Sequence, residues 1–111
     1  MSGVVSIDEL AGVLTEAYEH LEVGQVNDHA AYLLLFKGDG GWHRHTQDEL
    51  YVVIQGEVKI EFRNQPTVVL GRNDTLVVRS YTTHCASSGE GAFVLMFKPK
   101  EMFAPQEPVE E

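Results

Sequence analysis

The chain is short of almost everything that marks a secreted, membrane or nucleic-acid-binding protein. Cys85 is the one cysteine in 111 residues, so no disulfide can close within the chain. Together with the lack of a secretory signal pattern, this points to a reducing, cytoplasmic setting. The longest apolar run, AAYLLLF at 30–36, is strand-sized and falls far below the ~18 residues that cross a bilayer. Basic residues are scarce: 8 Lys and Arg stand against 17 Asp and Glu, a net charge of −9. There is no Lys/Arg stripe to meet phosphates or anionic lipid heads, so neither nucleic acid nor a membrane is expected as a partner. The serine-hydrolase elbow, the phosphate loop and the dinucleotide fingerprint are missing too. Covalent serine chemistry and nucleotide binding therefore have no support.

What is there is a pattern. Hydrophobic residues make up 43% of the chain, enough for a globular core, and the length suits one domain. Near the N-terminus, SIDELAGVLTEAYEHLE carries Ser6 and Glu9 at the spacing of a capping box. Ile7, Leu10, Ala11, Leu14, Ala17, Tyr18 and Leu21 follow at helical intervals. A helix is expected over this stretch, with His20 near its C-terminal end, where a partial positive charge complements the dipole.

Past Gly24 the apolar period drops to two. Strands are expected at 30–37, 49–55, 57–63, 67–70, 75–80 and 92–98. GDGG (38–41) reads as a flexible break, Gly56 as a hairpin turn, and NQP (64–66) and GRND (71–74) as further turns. Short strands with no crossover helices imply a mainly all-β, antiparallel sandwich or small barrel with a short N-terminal helix. The expected division is a helix and lead-in at 1–29, a barrel at 30–103 and a flexible acidic tail at 104–111. One strand is apolar on both faces: Leu50, Val52 and Ile54 on one side, Tyr51 and Val53 on the other. Its outer face needs a cover, which the N-terminal helix or a second subunit could supply, and a homodimer is expected.

The chemistry is concentrated in WHRHTQDELYVVIQG (42–56). His43, His45 and Glu49 are evenly spaced, and even separations put side chains on one face of an extended chain. With Glu49 turned inward beside Tyr51 and Val53, two imidazoles and a carboxylate converge, the outline of a transition-metal site. His84 is a further donor of the same type. Tyr51 shares Glu49's face and is a candidate for the substrate pocket, and Trp42 flanks the ligands. Cys85, next to His84, would point the other way as a buried, inert thiol. His29 reads as a turn residue, and Arg79 is the one basic residue near the His84 segment. No catalytic residue stands out.

These residues resemble the cupin superfamily. Its first motif is approximately G-x5-H-x-H-x3,4-E-x6-G, and His43, His45, Glu49 and Gly56 match it without a gap. Gly38 stands one residue closer to His43 than the motif's leading glycine. The second motif is approximately G-x5-P-x-G-x2-H-x3-N. His84 keeps the ligand position, while Gly71 lies two residues upstream of the leading glycine. Arg79 replaces the proline, Tyr81 the inner glycine and Ser88 the asparagine.

The resemblance covers about residues 30 to 98. It implies a double-stranded β-helix, or jelly-roll barrel, with a divalent transition metal held inside by His43, His45, Glu49 and His84. Iron, manganese, nickel, cobalt, copper and zinc all suit that donor set. The implied activity is that of a metalloenzyme of oxygenase or isomerase type acting on a small molecule. The alternatives are a small-molecule- or metal-binding barrel without turnover, or a relic barrel whose site is structural.

Overall fold

The period-two stretches pair into a sheet that curls on itself. The computed structural model describes residues 3–100. A single turn and a half of helix, α1 (Ile7–Ala11), precedes β1 (Leu21–Val26), β2 (His29–His43), β3 (Glu49–Gln55), β4 (Val58–Phe62), β5 (Val68–Leu70), β6 (Thr75–Val78) and β7 (His84–Pro99). Every strand pairing among them is antiparallel, in the order β1-β2-β7-β3-β6, with β4 joining β5 to β7.

The long strand β7 organises the barrel. It pairs with β2 along nearly its whole length, from His43↔His84 to His29↔Pro99. On its other side it pairs first with β4, Phe62↔His84 through Lys59↔Ser87, and then with β3, Gln55↔Phe93 through Leu50↔Phe97. The inward faces enclose Tyr32, Leu34, Phe36, Tyr51, Val53, Val58, Ile60, Val78, Val94 and Met96, all buried. Each such side chain contributes on the order of 1.5–3 kcal/mol of burial, and the polar ends of the strands are left to build a site.

Three local expectations change. The helix stops at Ala11 instead of reaching Leu21. Ser6 does cap it, its Oγ accepting the Glu9 N–H at 3.2 Å. Beyond it, Gly12, Val13 and Thr15 are weak helix formers. The sheet then captures the chain: the Tyr18 N–H donates to Leu35 O at 2.8 Å, its hydroxyl donates to Gly38 O at 2.8 Å, and its ring packs 5.0 Å from Phe36. Those contacts hold Tyr18 at φ +65, outside any helix. The residues after it enter β1, so His20 lies at the edge of the sheet and not at a helix end. The short helix buries none of its residues and is not the cover for β3.

Second, Gly56 is not the turn of a hairpin. β3 and β4 do not pair with each other, because the chain steps from the β6 side of the sheet to the β5 side. Gly56 takes φ +93 there, and a Cβ on it would meet Gly91 O at 2.6 Å and Ala92 Cα at 2.8 Å. Third, GDGG does not interrupt the strand. It lies inside β2, where the pairing register with β7 shifts and the ribbon bends. The tail expected at 104–111 lies outside the described residues.

Candidate functional site

The H-x-H-x3-E spacing turns out to straddle two strands. His43 ends β2, His45 sits in the connecting loop, and Glu49 opens β3. His84 opens β7 directly opposite His43. Four chain segments thus meet at one mouth of the barrel. The rings of His43 and His84 are 4.6 Å apart, those of His43 and His45 4.7 Å, and those of His45 and His84 5.5 Å. One nitrogen from each of the three lies within 4.8 Å of the others, close enough to share one metal ion. His45 and His84 are buried and His43 is half-buried.

Backbone carbonyls set two of the tautomers. His43 Nδ1 lies 3.0 Å from Gly41 O, and His84 Nδ1 lies 2.7 Å from Thr82 O. A carbonyl only accepts, so both Nδ1 atoms carry the proton and leave the Nε2 lone pair for the site. Burial, reinforced by the neighbouring His84 and His45, pushes His43 down to about 4. Burial likewise lowers His84. Both are therefore neutral near pH 7, the state a ligand needs.

Glu49, 1% exposed, lies against two of these histidines. Its Oε1 accepts the Tyr51 hydroxyl at 3.0 Å and lies 3.1 Å from His45 Nε2 and 3.8 Å from His84 Nε2. Burial works to raise this carboxyl, but His45, Lys98 and Tyr51 outweigh it and hold it below the usual range. Its Oε2 makes no hydrogen bond, with Lys98 Nζ 4.0 Å away. Tyr51 is buried too, and its hydroxyl also lies 3.4 Å from His84 Nε2. Burial and the Glu49 charge push it well above its ordinary range, so it stays protonated and donates.

The loops that lead to His45 and to His84 are tied together. Asp48 Oδ1 accepts the Ser80 N–H at 2.7 Å, and Arg79 pairs with Asp48 Oδ2 at 3.2 Å. The Tyr81 N–H donates to His45 O at 2.7 Å. The departures from the second motif also acquire a physical account. Tyr81 stands where the motif has glycine and takes φ +58, while Asn73, at the leading-glycine position, takes φ +71. Both adopt the left-handed backbone that glycine would supply, and asparagine tolerates it well. Ser88, in place of asparagine, donates to Glu57 O at 2.7 Å and accepts the Gly91 N–H at 3.2 Å.

The remaining candidates lie away from the cluster. Cys85 is buried, and its thiol donates to Asp39 Oδ1 at 3.0 Å. Burial and that carboxylate push it up to about 11. The half-buried Trp42 carries the Arg63 guanidinium 4.4 Å over its ring. His29 pairs with Asp28 at 2.8 Å and stacks on Phe97. Lys98 is the residue that the sequence reading missed. It continues the inward set Ala92, Val94, Met96, but Phe93, Leu95 and Phe97 make the opposite face equally apolar. The alternation alone therefore gave it no direction.

A family model for the cupin domain matches residues 34–97. The chain is a cupin. A curated relative, the uncharacterized protein YdbB of Bacillus subtilis (strain 168), is 35% identical over 85 residues, spanning 76% of this cupin and 75% of the relative. Among solved structures, a cupin-2 domain containing protein from Shewanella frigidimarina NCIMB 400 superposes with a TM-score of 0.85 at 21% identity. That match covers 89% of this cupin and 97% of the other chain. Hydroquinone 1,2-dioxygenase PnpCD, in complex with Cd2+ and 4-hydroxybenzonitrile, superposes with a TM-score of 0.77 at 20% identity, covering 88% and 73%. These structural likenesses share the barrel. No helix among the described residues is long and apolar enough to cross a membrane.

Proposed function

We propose that this cupin is a metal-dependent enzyme acting on a small molecule, with His43, His45, His84 and Glu49 as the ligands of a divalent transition ion. The observation that carries this reading is the convergence of three imidazoles, two of them fixed by carbonyls with Nε2 inward. The donor set fits such an ion: three imidazole nitrogens, and a buried carboxylate whose Oε1 faces His45 and His84. Four protein ligands leave about two positions of an octahedral ion for substrate, water or O2. A metal bound there supplies Lewis-acid or redox chemistry, suited to oxygen-dependent oxidation or to isomerisation.

The chain's own residues shape the rest. Tyr51 holds Glu49 in place and borders the substrate side, and Phe62, the cross-strand partner of His84, forms an apolar wall. Arg79, paired with Asp48 and 74% exposed, supplies no substrate clamp in this arrangement. That observation favours the second reading, a barrel that binds its ligand without turnover. A homodimer belongs to the same proposal. In its support, half-buried Leu50, Val52 and Ile54 of β3 lie beside Phe93, Leu95 and Phe97 of β7 on the outer face. A cytoplasmic setting is likewise proposed, on the lone cysteine.

Elemental analysis of natively expressed protein tests the site. His43→Ala, His45→Ala and His84→Ala should each lose most of the metal, and His29→Ala should keep it. Equal metal in all four overturns the assignment. Substrate-dependent O2 uptake with a redox-active metal then selects the oxygenase branch. Zinc without uptake selects isomerisation or binding. Light scattering should give twice the chain mass, reduced to one by Val52→Glu, and a monomeric native protein refutes the dimer.

A further inference from the structure

Among the described residues, Glu49 is the one buried Asp or Glu and Lys98 the one buried Lys or Arg. They come from neighbouring strands: the pairings Leu50↔Phe97 and Tyr51↔Met96 bring the two side chains together on the inner face. An ionised group in a barrel interior needs a compensating charge, and the Lys98 ammonium lies 4.0 Å from Glu49 Oε2. The division of labour on the carboxylate is unequal. Oε1 takes Tyr51, His45 and His84, while Oε2 is turned to the Lys98 ammonium at 4.0 Å. The last torsion of a glutamate is soft and nearly two-fold, so packing alone does not choose which oxygen faces the histidines. An ammonium on one side does.

Lys98 is itself held. Its Nζ lies 2.8 Å from His20 Nε2 and 5.8 Å from the face of the Tyr32 ring, against which His20 also packs edge-on. An ammonium only donates, so His20 Nε2 is the acceptor. Burial, with the Lys98 charge beside it, pushes His20 down to about 4, which keeps it in the neutral accepting form. The segment expected to end a helix thus delivers a side chain to the far side of the site.

We propose that Lys98 is a positioning residue for Glu49: its ammonium draws Oε2 away from the mouth so that Oε1 is presented to His45 and His84, and His20 fixes the ammonium from behind. This rests on Glu49 being a metal ligand, and the test separates the two claims. The probe is Co(II), whose visible absorption reports the number and arrangement of its ligands. Co(II) is titrated into the metal-free full chain and into Glu49→Gln, Lys98→Met, Lys98→Arg and the double variant E49Q/K98M.

Lys98→Met should weaken Co(II) about 10- to 100-fold, the usual loss when a residue that orients a ligand is removed. It should also shift the Co(II) bands in the direction that Glu49→Gln does. Lys98→Arg should restore part of that spectrum, and Lys98→Met should add nothing in the Glu49→Gln background. If Lys98→Met does not fold by circular dichroism, His20→Phe carries the test, and a smaller shift of the same bands is expected. Wild-type bands in Lys98→Met, or in His20→Phe where that stands in, overturn the role of Lys98 and leave the site intact. The same holds for an equal Lys98→Met loss with and without Glu49. Wild-type bands in Glu49→Gln overturn the fourth ligand, and this proposal with it.

Discussion

Replacing Gly56 by alanine tests the topology through a single methyl group. The backbone there has φ +93, a conformation that costs an L-residue about 1–2 kcal/mol. The added Cβ would also stand 2.6 Å from Gly91 O and 2.8 Å from Ala92 Cα and Cβ, all at the β7 bend. No flexible side-chain end is available to give way, so backbone must shift, and overpacking of this kind costs about 1–3 kcal/mol. Together the loss is about 2–5 kcal/mol, a large share of the ~5–15 kcal/mol that holds a domain together. At roughly 4 °C per kcal/mol for a chain of this size, the melting midpoint should fall by about 8 °C or more. Gly89→Ala is the control, since its Cβ meets nothing within 4 Å and its φ is ordinary. Both variants are melted with EDTA present and checked by urea unfolding. If Gly56→Ala and Gly89→Ala melt within about 2 °C of each other, Gly56 is a plain surface turn and the crossing against β7 is wrong.

Acid should destabilise the metal-free protein before the carboxylates titrate. His20 and His43 sit near 4 when folded against 6.5 when exposed. Below 6.5 the unfolded chain therefore binds more protons at these two groups than the folded one, so their contribution to stability falls as pH drops from 6.5 to 4. Urea midpoints across that range check it, and a rise on acidification contradicts the assignment. Cys85, buried and raised to about 11, should resist iodoacetamide at pH 8 until the chain unfolds. Rapid alkylation of the native protein would show that β7 opens near His84.

How much of the site was legible depends on the residue. His43, His45 and Glu49 stood out because metal-binding side chains are uncommon and their spacing is local, while His84, far along the chain, was reached through the resemblance to the second cupin motif. The reason they meet was not local. They do not share one strand face, since a loop separates β2 from β3 and β7 returns His84 opposite His43. Tyr51 was correctly set on Glu49's face because both lie in one strand. Lys98 could not be placed, because a basic residue after a doubly apolar strand can face either way and the register with β3 decides which, and His20 was set at a helix end because its segment carries a helical stripe that the sheet overrides.

The sequence by itself determined the all-β class, the positions of most strands and the inward faces of β3 and β4, and it singled out the histidines and the glutamate that the fold brings near one another. Period-two alternation and short-range spacing carry that information, because each strand reports its own two faces. Only the tertiary structure decided that Gly56 marks a crossing, that the helix ends at Ala11 and that Tyr81 holds the glycine backbone. It also decided that Glu49 and Lys98 face each other in the interior. Those outcomes depend on which strand lies beside which, and local propensity yields wherever a neighbouring strand offers hydrogen bonds and a buried face.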